Sequence, residues 1–336
     1  MSKLGYILRC VKEMNVKAMF RDLNEIHRLS GKNRVFLFCD MVWCGFRYGT
    51  GYRDYRLTEW WNLNGAQRKT YVTRGINNSL IKKCNDPAYY HLLNNKVEFN
   101  RLFNSELGRG WLYLKEASEE QFAAFLSGKE WVVAKPVDGS CGKGFEKIHV
   151  PDYSTAAELY RYLIETDRLL VEDFIVQHPT LAAIYPHSVN TLRVVTILSK
   201  DGEPHILYAF LRLGNGGRNV DNISSGGMTA PVDVETGVIS NVAFDKKSNY
   251  YEVHPETGSP IVGVTIPMWD KVVRLVLDAA RKIPQLRYIG WDVAVTETGV
   301  EFVEGNQHPG HGFLQMPRHT PDKIGMLPRF RQFIDN

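Results

Sequence analysis

Asp292, Glu304 and Asn306 place oxygen donors inside two otherwise apolar segments, Gly290-Trp291-Asp292-Val293-Ala294-Val295 and Gly299-Val300-Glu301-Phe302-Val303-Glu304-Gly305-Asn306. Two short strands joined by a turn around Thr298-Gly299 predict a hairpin. Carboxylate and amide oxygens suit Mg²⁺, which keeps several waters and shares its shell with substrate phosphates, so the hairpin points to a nucleotide site. A solvated hairpin rim would carry the same acids, and the hairpin alone does not separate the two readings.

Upstream, Trp131-Val132-Val133-Ala134-Lys135-Pro136 reads as a strand ending in a lysine, followed by Asp138-Gly139-Ser140-Cys141-Gly142-Lys143-Gly144-Phe145. Glycines let backbone N–H groups approach a phosphate, and a strand-end lysine holds phosphate oxygens as a point charge. The run has neither the spacing of a P-loop nor that of a dinucleotide-binding turn. A tight hairpin without a ligand would also use Gly and Ser. Arg168-Leu169-Leu170-Val171-Glu172-Asp173-Phe174-Ile175 is a further apolar strand ending in acids. Ser188-Val189-Asn190-Thr191-Leu192-Arg193-Val194-Val195-Thr196-Ile197-Leu198 sets Arg193 within a buried strand. A buried guanidinium needs an anion, either a carboxylate of the protein or a ligand phosphate.

In this order the motifs resemble the ATP-grasp superfamily, most closely the sugar-transfer-associated ATP-grasp family, over roughly residues 85 to 336. The most specific pieces are Ser188-Val189-Asn190-Thr191-Leu192-Arg193, Gly290-Trp291-Asp292 and Glu304-Gly305-Asn306-Gln307-His308-Pro309-Gly310. The resemblance implies an α+β fold in which two subdomains grip ATP. It assigns Lys135 to the α- and β-phosphates and Gly139, Ser140, Gly142 and Gly144 to the loop over them. Glu172, Asp173, Phe174 and Ile175 fall at the adenine and ribose end. Arg193 is assigned to the γ-phosphate, and Asp292, Glu304 and Asn306 to two Mg²⁺ ions, with Mn²⁺ able to substitute. Lys96 is a looser match to an additional lysine of many members, and a solvated helix lysine is the commoner reading of such a residue.

Between strands lies Arg212-Leu213-Gly214-Asn215-Gly216-Gly217-Arg218-Asn219-Val220-Asp221-Asn222-Ile223-Ser224-Ser225-Gly226-Gly227. In the superfamily the equivalent loop separates the γ-phosphate from the carboxylate substrate, which makes Arg212, Arg218 and Asn222 candidates for stabilising an acyl phosphate. A mobile surface loop has the same composition. The implied activity is carboxylate–amine ligation, ATP going to ADP and phosphate, on small-molecule substrates derived from amino acids or sugars, in biosynthesis of a secondary metabolite or decorated sugar. A small-molecule kinase and a non-catalytic nucleotide-binding partner of a sugar-transfer pathway are the alternatives. No protein nucleophile is required, because phosphoryl transfer depends on positioning and positive charge. His308 and His311 follow the metal residues and are candidate bases for the amine, or packed histidines near a Pro-Gly turn.

The chain has 336 residues, 44% of them hydrophobic, enough for a substantial core. No apolar run reaches membrane-spanning length, and Arg9, Lys12, Glu13 and Lys17 argue against a signal peptide. The cysteines Cys10, Cys39, Cys44, Cys84 and Cys141 are an odd set without Cys-x-x-Cys spacing, which predicts thiols in a reducing cytoplasm. Residues 1–85 hold 16 Lys plus Arg against 6 Asp plus Glu, net +10; the remainder holds 25 against 31, net −6. The basic part reads as mainly helical; such a surface could attract a nucleic acid, an anionic membrane surface or a phosphorylated, carboxylated or carrier-bound substrate, but no nucleic-acid-binding signature accompanies the charge and a helical cover over the core is expected. The predicted division is a basic helical region 1–85, a first ATP-grasp subdomain 86–176 with Lys135 and the glycine loop, and a second 177–336 with Arg193 and the metal residues. Local signals predict a capping box Thr155-Ala156-Ala157-Glu158 opening a helix to about Thr166, and an amphipathic helix Met268 to Lys282 entered by Pro267.

Overall fold

A computed structural model describes residues 15–139, 144–217 and 220–334. Ser140, Gly142 and Arg218, with the neighbouring Cys141, lie outside the described residues. The architecture is α+β with a helical N-terminal region, and the chain divides into two units, residues 1–83 with 310–336 and residues 84–309.

The helical unit is built from Val16–Ser30, Arg34–Tyr48 and several shorter helices. Asn15 and Asn33 cap the first two through their side-chain oxygens, and Gly31 and Gly49, both with left-handed φ of 68°, end them. Met19, Leu23, Ile26, Leu37, Met41, Cys44, Tyr55, Trp60 and Trp61 share its core. The carboxylate of Asp40 accepts from both Arg68 guanidinium nitrogens, at 2.8 and 2.7 Å, and from the Tyr55 hydroxyl at 2.6 Å. The chain end returns to this unit because Gln315 is fully used there: its Oε1 accepts from Val72 N and Met326 N, and its Nε2 donates to Val72 O.

The larger unit holds two antiparallel sheets. The smaller has the order β1-β4-β2-β3, with β1 Trp111–Tyr113, β2 Trp131–Lys135, β3 Glu146–His149 and β4 Leu170–Asp173. Helices Glu119–Leu126 and Ala156–Glu165 cover one face, burying Phe122, Leu126, Leu159 and Leu163 against Val132, Ala134, Ile148 and Val171. Thr155 Oγ1 accepts from Glu158 N as predicted, but the Glu158 carboxylate reaches Ser154 N, one residue before the expected box partner.

The larger sheet has the order β11-β10-β5-β6-β7-β8-β9. Its strands are β5 Leu192–Leu198, β6 Pro204–Leu213, β7 Met228–Val232, β8 Ala243–Asp245, β9 Tyr250–Tyr251, β10 Tyr288–Val295 and β11 Val300–Asn306. Helix Trp269–Lys282 packs on it through Val272, Val276, Ala279 and Ala280, entered by Met268 with a left-handed φ of 53°. On the core face Trp291 meets Phe103 and Phe302 at ring separations of 5.5 and 5.1 Å. Such a packed face fixes strand register, because a one-residue slip would turn these rings to the opposite side. Among the described residues no helix is long and apolar enough to cross a membrane.

Candidate functional site

Register places the polar side chains of the larger sheet in one row. Glu304 on β11 stands opposite Asp292 on β10, and Asp292 stands opposite Arg193 on β5. Arg193 pairs with Phe210 on β6, and Arg212, two residues further, emerges on the same face. Trp291 and Val293 alternate to the apolar side, so one strand serves both core and site. Arg193 holds Asp292 bidentately, with Nη2 at 2.9 Å from Oδ2, and Arg212 Nη1 binds the same oxygen. Burial alone would raise the Asp292 carboxyl, but the two guanidinium charges outweigh it and bring it down to about 2.

Asp221 completes this arrangement: Oδ1 is 3.2 Å from Arg212 Nη2, while Oδ2 accepts from Thr191 N at 2.9 Å and from the Thr191 hydroxyl. The chain between β6 and β7 is thereby tied to the row. Gly214 has no room for a side chain there, since a Cβ would lie 2.3 Å from the Tyr185 ring and 2.4 Å from Ser188 Oγ.

The smaller sheet contributes a second charged cluster. Glu172 on β4 lies opposite Val133 on β2, Lys135 follows two residues later on the same face, and Lys147 on β3 is the other neighbour of Val133. Glu172 is buried with its oxygens shared among Lys135 Nζ at 2.9 Å, Arg109 at 3.1 Å and Asn100 Nδ2 at 2.7 Å. Burial opposes its ionisation, yet Arg109 and Lys135 hold it down at about 2. Arg109 also reaches Glu301 on β11 at 3.1 Å and donates to Phe302 O at 2.6 Å, so one guanidinium joins the two sheets. Burial raises Glu301 despite Arg109.

Both clusters line one cleft of about 460 Å³, within the range of small-molecule sites. Of the predicted residues, Lys96, Lys135, Gly139, Glu172, Asp173, Phe174, Ile175, Arg212, Asn222, Asp292 and Glu304 line it. Arg193, Asn306 and Gly144 do not: Arg193 is occupied by Asp292, Asn306 donates to Glu304 Oε1 at 3.2 Å, and Gly144 abuts Pro136. His308 and His311 are also absent from the lining; His308 packs edge-on against Tyr90, and His311 lies 3.4 Å from Asp54 in the helical unit. Asp173 is engaged by Gly110 N at 2.7 Å and Lys129 Nζ at 2.6 Å. Asn222 caps a short turn through Ser224 N.

The cleft has the chemistry of a nucleotide site at three points. Lys96 Nζ donates to the Gly139 carbonyl at 3.0 Å, and burial together with the Lys135 charge lowers its pKa, an excess of positive charge that phosphate oxygens would neutralise. Phe174, Ile175 and Val176, just past the end of β4, line the same cleft. Lys147 Nζ sits 4.1 Å from the centroids of both Trp131 and Phe174 on the same wall. Among the described residues no group of three or more His, Cys, Asp or Glu is placed to hold a metal. The neighbouring carboxylates of Asp292 and Glu304 with the Asn306 amide do fit Mg²⁺, which takes one or two carboxylates and fills its shell with water and phosphate. Burial and the Asp292 charge raise Glu304 above the ordinary carboxylate range, a strain that a dication would relieve.

Sequence reasoning passed over Arg109, Lys147, Asp221 and Glu301. Lys147 had a usable signal, since strand alternation after the glycine loop puts it on the Lys135 side; Arg109 and Glu301 act through distant partners, and Asp221 joins nearby Arg212 to the distant Thr191, which no local pattern records.

A sequence model of proteins described as sugar-transfer associated ATP-grasp matches residues 75–333. No curated protein matches the chain by sequence. Among solved structures, ATP-grasp ligase PsnB complexed with minimal precursor is similar at 13% identity and a TM-score of 0.40, covering 74% of this chain and 63% of that one. D-alanyl-alanine synthetase A from Vibrio cholerae is similar at 12% identity and a TM-score of 0.42, covering 73% and 62%. D-alanine–D-alanine ligase from Bacillus anthracis gives 12%, 0.42, 81% and 76%. The chain thus spans less than two thirds of the first two structures.

Proposed function

The chain belongs to the sugar-transfer-associated ATP-grasp family, and from that premise we propose that it uses ATP to join a small-molecule carboxylate to an amine. The observation that supports this reading is the meeting in one cleft of a lysine pair, Lys96 and Lys135, with the Asp292 and Glu304 carboxylates and Arg212.

In this reading Lys135, held straight by Glu172, and Lys96 bind phosphate oxygens, and the Phe174–Val176 backbone receives the base. Asp292, Glu304 and Asn306 would hold Mg²⁺, which would supply positive charge to the phosphates. A substrate carboxylate oxygen attacks the γ-phosphorus, the bond from phosphorus to the ADP oxygen breaks, and an acyl phosphate forms. An amine nitrogen then bonds to the acyl carbon, phosphate departs with the former carboxylate oxygen, and the nitrogen loses a proton. Arg212, placed by Asp221 and Asp292, is the cation for the developing charge, and Arg193 positions Asp292 rather than touching phosphate. Arg218 is assigned to the same anion-binding loop by family resemblance only. The division of the larger unit into two subdomains at about residue 176, with 310–336 grouped with the helical unit, and the biosynthetic setting belong to the same reading.

Incubation with ATP, Mg²⁺, pooled amino acids, sugar acids and amines, with and without hydroxylamine, tests it. Hydroxamate with ADP and phosphate is the expected product set. A stable phosphorylated product without hydroxamate would move the assignment to a kinase. Unchanged ATP turnover in Asp292→Asn/Glu304→Gln would reject the metal assignment.

A further inference from the structure

The Arg34–Tyr48 helix buries one row, Leu37, Met41 and Cys44, against the helical unit. Val35, Cys39, Val42 and Phe46 fall at the same helical spacing on the opposite side, flanked by Phe36, Phe38 and Trp43, and all seven are exposed. Val35 is 70% exposed, Trp43 59% and Phe36 54%. The patch continues onto the Val16–Ser30 helix, where exposed Phe20 stacks on Phe38 at 6.1 Å with Val16 beside it in the helical turn. A helix apolar on all sides but packed on one only is covered by something else in use.

Charge identifies the cover. On these two helices Lys17, Arg21, Arg28, Arg34 and Arg47 are exposed. Their three acids turn toward arginines of the unit: Asp22 and Glu25 toward Arg56, at 3.9 and 2.8 Å, and Asp40 toward Arg68 at 2.7 Å. Among the described residues of these two helices, the exposed charged side chains are therefore all positive. A two-fold contact with a second copy would bring like charges together. A nucleic acid would meet the cations but leave Val35 and Val42 in water. An anionic bilayer surface satisfies both features, taking aromatic and aliphatic side chains at the acyl boundary and lysine and arginine at the headgroups. Arg34 and Arg47 sit at the two ends of the 15-residue helix, which suits a helix lying in the interface plane and not one crossing it.

We infer that the Val16–Ser30 and Arg34–Tyr48 helices dock the protein on anionic phospholipid membranes, with Trp43 and Phe46 at the centre of the contact. The inference is independent of the reaction in the cleft and deepens only the role of the basic region.

The test is cosedimentation of the full chain with vesicles of phosphatidylcholine alone and of phosphatidylcholine with about one third phosphatidylglycerol, at low and high salt. Binding is expected to the anionic vesicles only and to weaken as salt rises. Trp43→Ser/Phe46→Ser and, separately, Arg34→Gln/Arg47→Gln are each expected to weaken it about tenfold or more. Val253→Ser, exposed in the other unit, is the control expected to bind as wild type, and unchanged melting of each variant shows that the fold is kept. No binding to anionic vesicles by the wild type overturns the inference. So does binding that neither double variant weakens. Dimerisation in light scattering that Trp43→Ser/Phe46→Ser abolishes would give the face to a second copy, and salt-sensitive RNA binding without vesicle binding would give it to nucleic acid; each refutes the membrane assignment.

Discussion

Glu172→Gln should cost the larger unit about 3 kcal/mol at neutral pH. Glu172 is buried against Arg109, Lys135 and Asn100, and its carboxyl sits at about 2 in place of the ordinary 4.5. A displacement of roughly 2.5 pH units at about 1.4 kcal/mol each gives roughly 3–4 kcal/mol, and breaking a buried pair from one side costs a similar 3–5 kcal/mol. A carboxylate held below its ordinary value stabilises the fold above pH 4.5, and that contribution is lost as pH falls toward 2. The wild type should therefore melt roughly 6–12 °C above the variant at pH 7, and the gap should close between pH 4.5 and 2. Calorimetry and urea unfolding across that range measure both. A loss below about 1 kcal/mol at pH 7, or a gap unchanged down to pH 2, would refute the assignment of Glu172 as the anion shared by Arg109 and Lys135.

Lys135→Met should weaken ADP binding by roughly tenfold to a hundredfold, the value of a charge-assisted contact, as read by titration calorimetry. Arg193→Lys should not restore what Arg193→Met loses, because the Asp292 contact uses both arms of a planar fork; both should lower the melting temperature, and a wild-type melt for the lysine variant would contradict the bidentate geometry. Gly214→Ala should destabilise by about 1–3 kcal/mol through overpacking on Tyr185 and Ser188, measured by urea unfolding. Gln315→Leu should speed hydrogen exchange at Val72 and Met326, whose amides it receives.

The cleft residues marked by their own segment were legible in the sequence: Lys135 ends a strand of apolar residues, Asp292 and Glu304 interrupt alternating patterns, and the turn at Thr298-Gly299 sets their pairing. The α+β class was implied by the family resemblance, and the local helix and strand signals agreed with it. Arg193 left two readings open, and cross-strand register puts the Asp292 carboxylate beside it, which its own segment does not show. What could not be read is long-range. Arg109 joins Glu172 to Glu301 across 129 residues of sequence, Asp221 reaches back to Thr191, and the 310–336 segment returns to the helical unit through Gln315. Nor does composition say which of the two opposed apolar rows of Arg34–Tyr48 is buried.

The most direct test of the account uses carboxylates labelled with heavy oxygen on both carboxylate oxygens, supplied with ATP and the amine pool, and follows the label by mass spectrometry. Attack of the carboxylate on the γ-phosphorus predicts one labelled oxygen in each phosphate released and loss of that oxygen from the amide. Amide formed with unlabelled phosphate would contradict the acyl-phosphate route, and phosphate released without any carboxylate dependence would contradict ligation itself.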